Sequence, residues 1–334
     1  MSSHTEPLVS VMTPVYNGAL DLAECMESVL KQTYTNWEYI VVNNNSTDGT
    51  LEIAERYARV DPRIQVHSNH TLLDIIANHN RAFRLISASS KYCKIVSADD
   101  WLFPDCLARM VSLAEAHPSV GIVGSYQLSG GGKDWRNWCI KWDQVPYPSA
   151  VVPGREVGRI YMFGGPSVFG SPTSLLYRAD LVREQDRFYP NSSAEADTSA
   201  CCRCLRETDY GFVHQVLSYE RVHDARMTTR SQSLNAYLSS NISDLLEYGE
   251  AFLSAEEREQ RFSELMAQYY EFLAISALKR RNRQFWSYHR ERLRELGYPL
   301  KSMRLFKAVF MELMGLLLNP KHTSELLARP RPRT

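Results

Sequence analysis

Residues 9–50 read VSVMTPVYNGALDLAECMESVLKQTYTNWEYIVVNNNSTDGT, and this stretch decides the fold. Its two apolar runs, VSVMTPV and WEYIVV, are rich in β-branched residues, which is typical of buried strands. The intervening ALDLAECMESVLKQT repeats apolar residues at helical spacing and indicates an amphipathic helix. A strand, a helix and a strand in this order predict two parallel strands joined by a crossover helix.

The same alternation continues to about residue 130. Further strands are predicted at RIQVHS, YCKIVSA and VGIVGSYQ, and further helices at TLEIAERYARV, LLDIIANHNRAFRLISAS and PDCLARMVSLAEAH. The pattern predicts an α/β fold with a mostly parallel sheet and helices on both faces. Residues 130–165 mix glycine, proline and aromatic residues without a clear period, so a loop region is predicted there, followed by a further α/β stretch.

The C-terminal part of the chain differs from the rest in pattern and in charge. From about Ser231 the sequence is predicted to be helical, which divides the chain into an α/β domain (1–230) and a helical region (231–334). Residues 271–334 contain 14 Lys and Arg against 5 Asp and Glu, a local net charge of +9 in a chain without net charge. This asymmetry indicates a C-terminal element with its own electrostatic role.

Composition restricts the class of protein. The 334 residues are 44% hydrophobic and 23% charged, as in ordinary globular proteins. No apolar run reaches the roughly 18 to 20 residues needed to span a bilayer, and the first residues lack a secretory signal, so a cytoplasmic protein is expected. The cluster Cys201, Cys202 and Cys204 cannot place all three thiols on one metal, and structural thiols are expected instead. No nucleic-acid partner is expected.

Polar residues directly follow three of the predicted strands. They are residues 13–17, 43–45 and 97–100. Ligands of parallel α/β sheets bind at the carboxyl ends of the strands, so these residues are the first candidates for a binding site.

Asp99 and Asp100 form the most informative polar pair. Two adjacent carboxylates at the end of an apolar strand repel each other unless a cation or ribose hydroxyls lie between them. Oxygen ligands in such a small number suit Mg²⁺ or Mn²⁺ that completes its shell with water and phosphates. The alternative is a helix N-terminus opened by Pro104 and Asp105, which explains Asp105 well and Asp99 poorly.

The first half of the chain resembles the family 2 glycosyltransferases of the GT-A fold, of the type that builds bacterial polysaccharides and glycans. The resemblance covers residues 8 to about 225 and is carried by residues 9–50 together with SADDWLFPDCLARM further along the chain. It implies a nucleotide-diphosphate sugar donor, a divalent metal, and usually inversion at the anomeric carbon. The acceptor would be a hydroxyl of a glycan or a lipid-linked molecule.

The resemblance also implies a set of nucleotide-binding residues, namely Thr13, Pro14, Val15, Tyr16, Asn17, Asn44, His79 and Asp99. Asn44 stands where the family usually has an aspartate that contacts the base. A carboxamide can accept from an imide N–H and donate to a carbonyl oxygen, so a pyrimidine is favoured. Asn43, Ser97 and His79 also depart from the family pattern, where aspartate, an acidic residue and arginine are frequent.

The remaining site residues follow from the same resemblance. Asp197 matches the catalytic base at the start of a helix, and Glu195 is the second candidate on the acceptor side. Asp99, Asp100 and His223 are predicted to bind the metal. Thr173 and Ser174 are predicted to line the acceptor side.

Two alternatives remain open at this point. The departures from the family pattern leave open the possibility of a sugar-nucleotide-binding protein without catalysis. A processive polysaccharide synthase is disfavoured because no QxxRW motif is present.

The basic, aromatic-rich C-terminal helices are predicted to bind an anionic membrane surface at the inner face of the cell membrane. Equally open is that they pack on the catalytic domain or form a homodimer interface.

Overall fold

The computed structural model describes residues 6–131, 138–141, 149–165, 168–191, 195–222 and 236–318. The chain divides into two compact units, Met1–Asp224 and Ala225–Thr334. The described part of the first unit is an α/β structure, and that of the second is helical.

The first unit is built from strands and helices that alternate along the chain. The strands are β1 Val9–Val15, β2 Trp37–Asn43, β3 Ile64–Ser68, β4 Tyr92–Ile95, β5 Trp101–Leu102, β6 Val120–Gly130, β7 Cys139–Lys141, β8 Val151–Val152, β9 Leu175–Arg178 and β10 Asp209–Arg221. The helices are α1 Leu22–Leu30, α2 Thr50–Val60, α3 Ile75–Phe83, α4 Cys106–Ala116, α5 Gly154–Met162, α6 Ala179–Arg183 and α7 Ala196–Leu205. A single 3₁₀ turn, Pro172–Ser174, precedes β9.

The described strands form one mixed sheet in the order β3-β2-β1-β4-β9-β6-β10-β5, with β7 beside β6 and β8 beside β10. The first four strands are parallel, and β6 is parallel to β10. Four short strands, β5, β7, β8 and β9, pair antiparallel with their neighbours. The predicted α/β fold with a mostly parallel central sheet is confirmed, and the short antiparallel strand β9 lies between β4 and β6.

The core of the sheet follows from the apolar runs that predict it. Every residue of β1 is buried, as expected for a central strand covered on both faces. Helix α1 buries Leu22, Cys25, Met26 and Val29, and each large apolar side chain buried in this way stabilises the fold by about 1.5 to 3 kcal/mol. The first strand is therefore rigid up to its carboxyl end, where the candidate site begins.

The region 130–165 is not simply a loop. Its described residues include β7, β8 and α5, and α5 buries Val157 and Met162. The sequence pattern missed α5 because the helix starts at glycine, a poor helix former. Gly154 is required by close packing, since a Cβ there would lie 1.9 Å from the backbone oxygen of Thr208.

The second unit contains four described helices: α8 Tyr237–Phe252, α9 Ala255–Leu278, α10 Arg283–Glu295 and α11 Ser302–Leu318. Ser254 and Glu257 form a capping box at the start of α9. The Asn282 side chain caps α10 by accepting from the Phe285 N–H at 2.9 Å. Within the residues that the structure describes, no helix is long and apolar enough to cross a membrane.

All seven cysteines are free thiols. Cys201, Cys202 and Cys204 lie buried in α7, which agrees with the expectation of structural thiols. In the described part of the chain, no group of three or more His, Cys, Asp or Glu residues is arranged to hold a metal ion.

Candidate active site

The loop after β1 is fastened to the loop after β2 by side chains of the second loop. Three successive backbone N–H groups each donate to such a side chain: Asn17 to Ser46 Oγ (2.9 Å), Gly18 to Thr50 Oγ1 (2.9 Å) and Ala19 to Asp48 Oδ2 (3.1 Å). In return, Asn17 Oδ1 accepts from the Thr47 N–H at 2.8 Å. The polar sequence after β2 therefore holds the first loop in one conformation.

The predicted nucleotide-binding residues of the first loop are not equally accessible. Thr13, Pro14 and Val15 are buried, and the Thr13 hydroxyl is bonded internally to Tyr39 Oη at 2.8 Å and the Val96 carbonyl at 2.9 Å. Tyr16 is 48% exposed. Asn17 is exposed and has a φ of 49°, a left-handed conformation that asparagine tolerates. Only Tyr16 and Asn17 offer side chains to a ligand here.

Asn44 follows β2, and its side chain is fully bonded within the protein. Its Nδ2 donates to the Leu73 carbonyl at 2.9 Å, and its Oδ1 accepts from the Leu73 N–H at 2.9 Å and from Asn69 Nδ2 at 2.6 Å. The side chain is 2% exposed. The donor and acceptor capacity that was expected to bind a base is used here on Leu73 and Asn69, where Asn44 forms a structural clamp. Its contact with a base stays a prediction.

Asp99 and Asp100 follow β4 next to the first loop. The first loop lies close to the turn that carries the two aspartates, because a Cβ at Gly18 would lie 2.6 Å from Val15 Cγ2 and 3.5 Å from Ala98 Cβ. Asp99 is half-buried. Both carboxylates contribute to the high pKa of the buried Cys25 thiol, which burial chiefly raises to about 12. The thiol therefore stays protonated beneath the acidic turn.

Asp100 is a positioning residue in this structure. It is 2% exposed. Its Oδ2 accepts from Thr173 Oγ1 at 2.7 Å, and its Oδ1 accepts from the Arg221 N–H at 3.0 Å. The carboxylate is therefore bonded within the scaffold, and its role as a metal ligand stays a prediction.

Arg221 closes the acidic turn from the end of β10. Its Nε donates to the Asp99 carbonyl at 3.1 Å. The guanidinium also pairs with Glu24 at 2.6 Å and with Asp21 at 3.3 Å, and it lies 5.4 Å from the Trp101 ring centre. The sequence alone does not place Arg221 beside Asp99, because the two residues are 122 positions apart. The structure makes it the brace that joins the start of α1 to the turn.

Thr173 and Ser174 are buried, at 0% and 1% exposure. Thr173 accepts from the Ser97 N–H at 3.0 Å while donating to Asp100, and the Ser174 hydroxyl donates to the Ser171 carbonyl at 2.9 Å. The Thr173 hydroxyl supports the acidic turn, whereas the Ser174 hydroxyl bonds back to Ser171. That the two residues line the acceptor side stays a prediction. Lys94, which bonds to the Thr173 carbonyl, was not among the residues predicted from the sequence.

Lys94 is a fully buried lysine within β4. Its ammonium donates to the Thr173 carbonyl at 2.7 Å and to the Leu175 carbonyl at 3.1 Å, and burial lowers its pKa. The lysine thereby fixes the 3₁₀ turn under Asp100. A charged residue inside an apolar run, as in YCKIV, was the available signal.

His79 lies in α3 and stacks on Tyr189, with ring centres 5.6 Å apart. Its Nδ1 is 2.8 Å from the Ile75 carbonyl oxygen, so Nδ1 carries the proton when the ring is neutral. Burial lowers the pKa of His79 below its ordinary 6.5, against the opposing effect of the Ile75 bond. A neutral imidazole is therefore present at neutral pH, without the charge of the arginine found in many relatives.

The segment that carries Tyr189 is held by a second asparagine clamp. Asn80 Nδ2 donates to the Tyr189 carbonyl at 2.9 Å, and Asn80 Oδ1 accepts from the Tyr189 N–H at 2.8 Å. This repeats the arrangement of Asn44 and Leu73. The clamp fixes the chain shortly before α7.

Asp197 lies in the first turn of α7 and is half-buried, with Glu195 at the N-cap position. Burial raises the pKa of Tyr177 and of Tyr189 well above the ordinary range, and the nearby Asp197 carboxylate raises both further. Asp197 is therefore close to the tyrosine that stacks on His79. His223, the predicted third metal ligand, lies outside the described residues.

The donor set near the acidic turn fits a metal ion only in part. Asp99 is the half-exposed oxygen donor at the carboxyl end of β4. Mg²⁺ and Mn²⁺ sites in nucleotide enzymes often take one or two carboxylates and complete the shell with substrate phosphates and water. One carboxylate beside a well-fixed loop is compatible with that chemistry, whereas a metal cage made of protein ligands alone is not seen among the described residues.

Comparison with solved structures agrees with this architecture. TarS 1–349 of S. aureus, solved in complex with UDP-GlcNAc, superposes with a TM-score of 0.59 at 18% identity, covering 79% of this chain and 73% of TarS 1–349. The mannosyltransferase PcManGT of Pyrobaculum calidifontis, in complex with GDP-Man and Mn²⁺, superposes with a TM-score of 0.52 at 16% identity over 93% of this chain and 88% of its own. At these identities the likeness shows the GT-A fold.

Sequence comparison identifies the family to which the chain belongs. EpsE of Bacillus subtilis, described as a "Putative glycosyltransferase", is 39% identical over 36% of this chain and 44% of its own length. The protein y4gI of Sinorhizobium fredii is 37% identical over 63% of this chain and 22% of its own. The matched chain thus spans less than half the length of either relative. The family model described as "Glycosyl transferase family 2" matches residues 10–185, more than half of the chain. The chain belongs to glycosyl transferase family 2 and has the GT-A fold.

Proposed function

We propose that this glycosyltransferase moves a sugar from a nucleotide-diphosphate donor to a hydroxyl of a glycan or a lipid-linked acceptor, with a divalent metal and with inversion at the anomeric carbon. The observation that carries the proposal is the half-exposed Asp99, which lies beside the first loop on a turn fixed by Asp100 and Arg221. Such a turn presents one carboxylate at the edge of the sheet where nucleotides bind in α/β folds.

The donor nucleotide would bind against the first loop. Tyr16 supplies an exposed ring for the base or ribose, and Asn17 supplies polar groups at the same place. We retain a pyrimidine as the favoured base because TarS binds UDP and UDP-GlcNAc. Because PcManGT binds GDP-Man, the assay below compares pyrimidine and guanosine donors.

The metal would be held by Asp99, with His223 as a second ligand in the proposal. A bound Mg²⁺ or Mn²⁺ would neutralise the charge on the diphosphate as it leaves. The complex of PcManGT with Mn²⁺ supports this choice of ion. Asp100, Thr173 and Arg221 hold the turn at Asp99, so the carboxylate is positioned before the donor arrives.

The acceptor hydroxyl would lose its proton to Asp197. The oxygen of that hydroxyl forms the new bond to the anomeric carbon while the bond from this carbon to the diphosphate oxygen breaks, and Asp197 takes the proton. The position of Asp197 in the first turn of α7 stabilises its charged form through the helix dipole. Glu195 is the second candidate for this role. A cytoplasmic location and a homodimer remain predictions from the sequence.

One observation favours a second candidate function, a sugar-nucleotide-binding protein without catalysis. Both family-typical aspartates after β2 are replaced, and the replacements Asn43 and Asn44 bond within the scaffold. Such a protein would bind the donor without cleaving it.

The test is a panel of nucleotide sugars offered to the full chain with Mn²⁺, with Mg²⁺ or with a chelator. We expect a rise in melting temperature that needs both the metal and the matching donor, together with release of the nucleoside diphosphate when an acceptor is added. Stabilisation without release, across acceptors that carry glycan and lipid-linked hydroxyls, would favour the binding protein. Undiminished transfer in the chelator would contradict the metal requirement.

A further inference from the structure

Helix α11 presents an apolar surface that no described residue covers. None of its residues is buried. Seven large apolar side chains are exposed: Met303, Phe306, Phe310, Met311, Leu313, Leu317 and Leu318, at 42% to 81%. Contiguous exposed surface of this kind marks an interaction site.

The exposed residues lie on one side of the helix. Met303, Phe306, Phe310, Leu313 and Leu317 recur at alternating spacings of three and four, and Met311 and Leu318 widen the row. The less exposed Leu305 and Val309 lie on the other side, and α11 packs against α9. A spacing of three and four is also that of a coiled-coil seam, so the charge around the row is what distinguishes a lipid surface from a second helix as its partner.

A groove borders this surface within the same unit. Its volume is about 680 Å³, and its apolar lining includes Leu300, Leu305 and Val309. Trp286, Arg290 and Arg294 of α10 line it as well. Arg294 forms an ion pair with Glu291 at 3.4 Å. Among the described residues, no carboxylate lies within ion-pair distance of Arg290. The groove combines an apolar floor with guanidinium groups able to bind phosphate.

The surrounding surface is strongly cationic. Residues 279–318 contain ten Lys and Arg and three Glu, a net charge of +7. Lys301 and Lys307 are exposed beside the apolar row, and long basic side chains at the margin of an apolar face can extend to lipid headgroups while their stems stay in apolar surroundings. Two copies of this surface would bring like charges together, which opposes self-association.

We propose that α11 and the α10 side of the groove bind the surface of an anionic phospholipid bilayer. The row from Met303 to Leu317 enters the boundary between headgroups and acyl chains, and Arg290 and Arg294 bind lipid phosphates. The helix lies in the plane of the interface and does not span the bilayer. This inference is independent of the transfer reaction, because it rests only on the described helices of the second unit.

The experiment is flotation of the full chain with vesicles of phosphatidylcholine alone or of phosphatidylcholine mixed with phosphatidylglycerol. We expect binding to the anionic vesicles at low salt. Binding should fall at least tenfold in about 1 M salt, where the Debye length shrinks from roughly 10 Å to roughly 3 Å. The double variant Phe306→Ser with Phe310→Ser should lose binding at least tenfold, and its matched control is Leu246→Ser, which removes an exposed apolar side chain from α8.

A second pair of variants tests the cationic part. Arg290→Gln with Arg294→Gln should weaken binding to anionic vesicles several-fold without changing the melting temperature, while Arg258→Gln on α9 should bind as the unchanged protein does. Absence of binding at low salt overturns the proposal. A second result would also overturn it: the full chain is a dimer in light scattering, does not bind vesicles, and becomes a monomer when Phe306 and Phe310 are replaced. The apolar face would then be covered by a second copy of the chain.

Discussion

Replacing Asp99 and Asp100 one at a time by alanine separates the ligand from its support. Asp100→Ala leaves two buried donors, the Thr173 hydroxyl and the Arg221 N–H, without their acceptor. Each unsatisfied buried group costs about 1 to 3 kcal/mol, so we expect a loss of about 3 kcal/mol in the free energy of unfolding. For a unit of this size that loss corresponds to a fall of roughly 6 to 12 °C in melting temperature.

Asp99→Ala should behave in the opposite way. The bond from Arg221 reaches the backbone carbonyl of Asp99 and survives the substitution. Because Asp99 is half-exposed whereas Asp100 is buried, we expect a smaller loss of stability than for Asp100→Ala. The variant should, however, lose the stabilisation that Mn²⁺ and donor together give the unchanged protein.

Both variants are measured by calorimetry, with and without Mn²⁺ and the donor found in the panel. Asn at position 100 is a milder change, because its amide keeps one acceptor and its NH2 group can donate to Thr173 Oγ1. If Asp100→Ala has the same melting temperature as the unchanged protein, the hydrogen bonds that Asp100 accepts do not stabilise the turn. If Asp99→Ala keeps the full metal-dependent stabilisation, Asp99 is not the metal ligand.

Three further outcomes are expected. Asn44→Asp should lower the free energy of unfolding by about 1 to 3 kcal/mol, because a carboxylate cannot donate to the Leu73 carbonyl, while the exposed Asn45→Asp should leave the urea midpoint unchanged. Asp197→Asn should lower kcat on the order of 10²-fold or more with donor affinity kept; loss of donor binding in calorimetric titration would instead place Asp197 in the metal site. Because the pKa of His79 is lowered by folding, the unfolded chain takes up the proton first as the pH falls below 6.5, so stability is full above that value and declines below it. His79→Gln should flatten this decline in melting temperature, and an unchanged slope would show that other groups cause it.

The α/β half of the fold was predictable because its signals are local. The apolar runs at β1 and β2 and the periodic residues of α1 each lie within one element, so their burial follows from spacing alone. The place of β9 was not predictable. Its four residues pair with β4 and β6 across long stretches of chain, and nothing in the segment itself specifies those neighbours.

The candidate site shows the same division. The sequence identifies Asn44 as a side chain that both donates and accepts, but its partner is the backbone of Leu73, 29 positions away. It marks Asp99 and Asp100 as a pair but does not tell the half-exposed carboxylate from the buried one, because that depends on Thr173 and Arg221 from other elements. Residue type fixes hydrogen-bonding capacity, and the tertiary structure chooses the partner.

The insertion of β9 has a consequence for the order of assembly during synthesis. Strands β1 to β4 complete their mutual pairing once residue 95 has left the ribosome, yet β4 keeps an open edge until residues 175–178 follow. About 80 residues at roughly 5 to 20 residues per second leave that edge uncovered for several seconds. An unpaired strand edge is a template for intermolecular pairing, so the nascent chain passes through an aggregation-prone interval that ends when β9 docks. Substitutions that weaken β9 should therefore lower the yield of folded protein more than they lower the stability of the molecules that do fold.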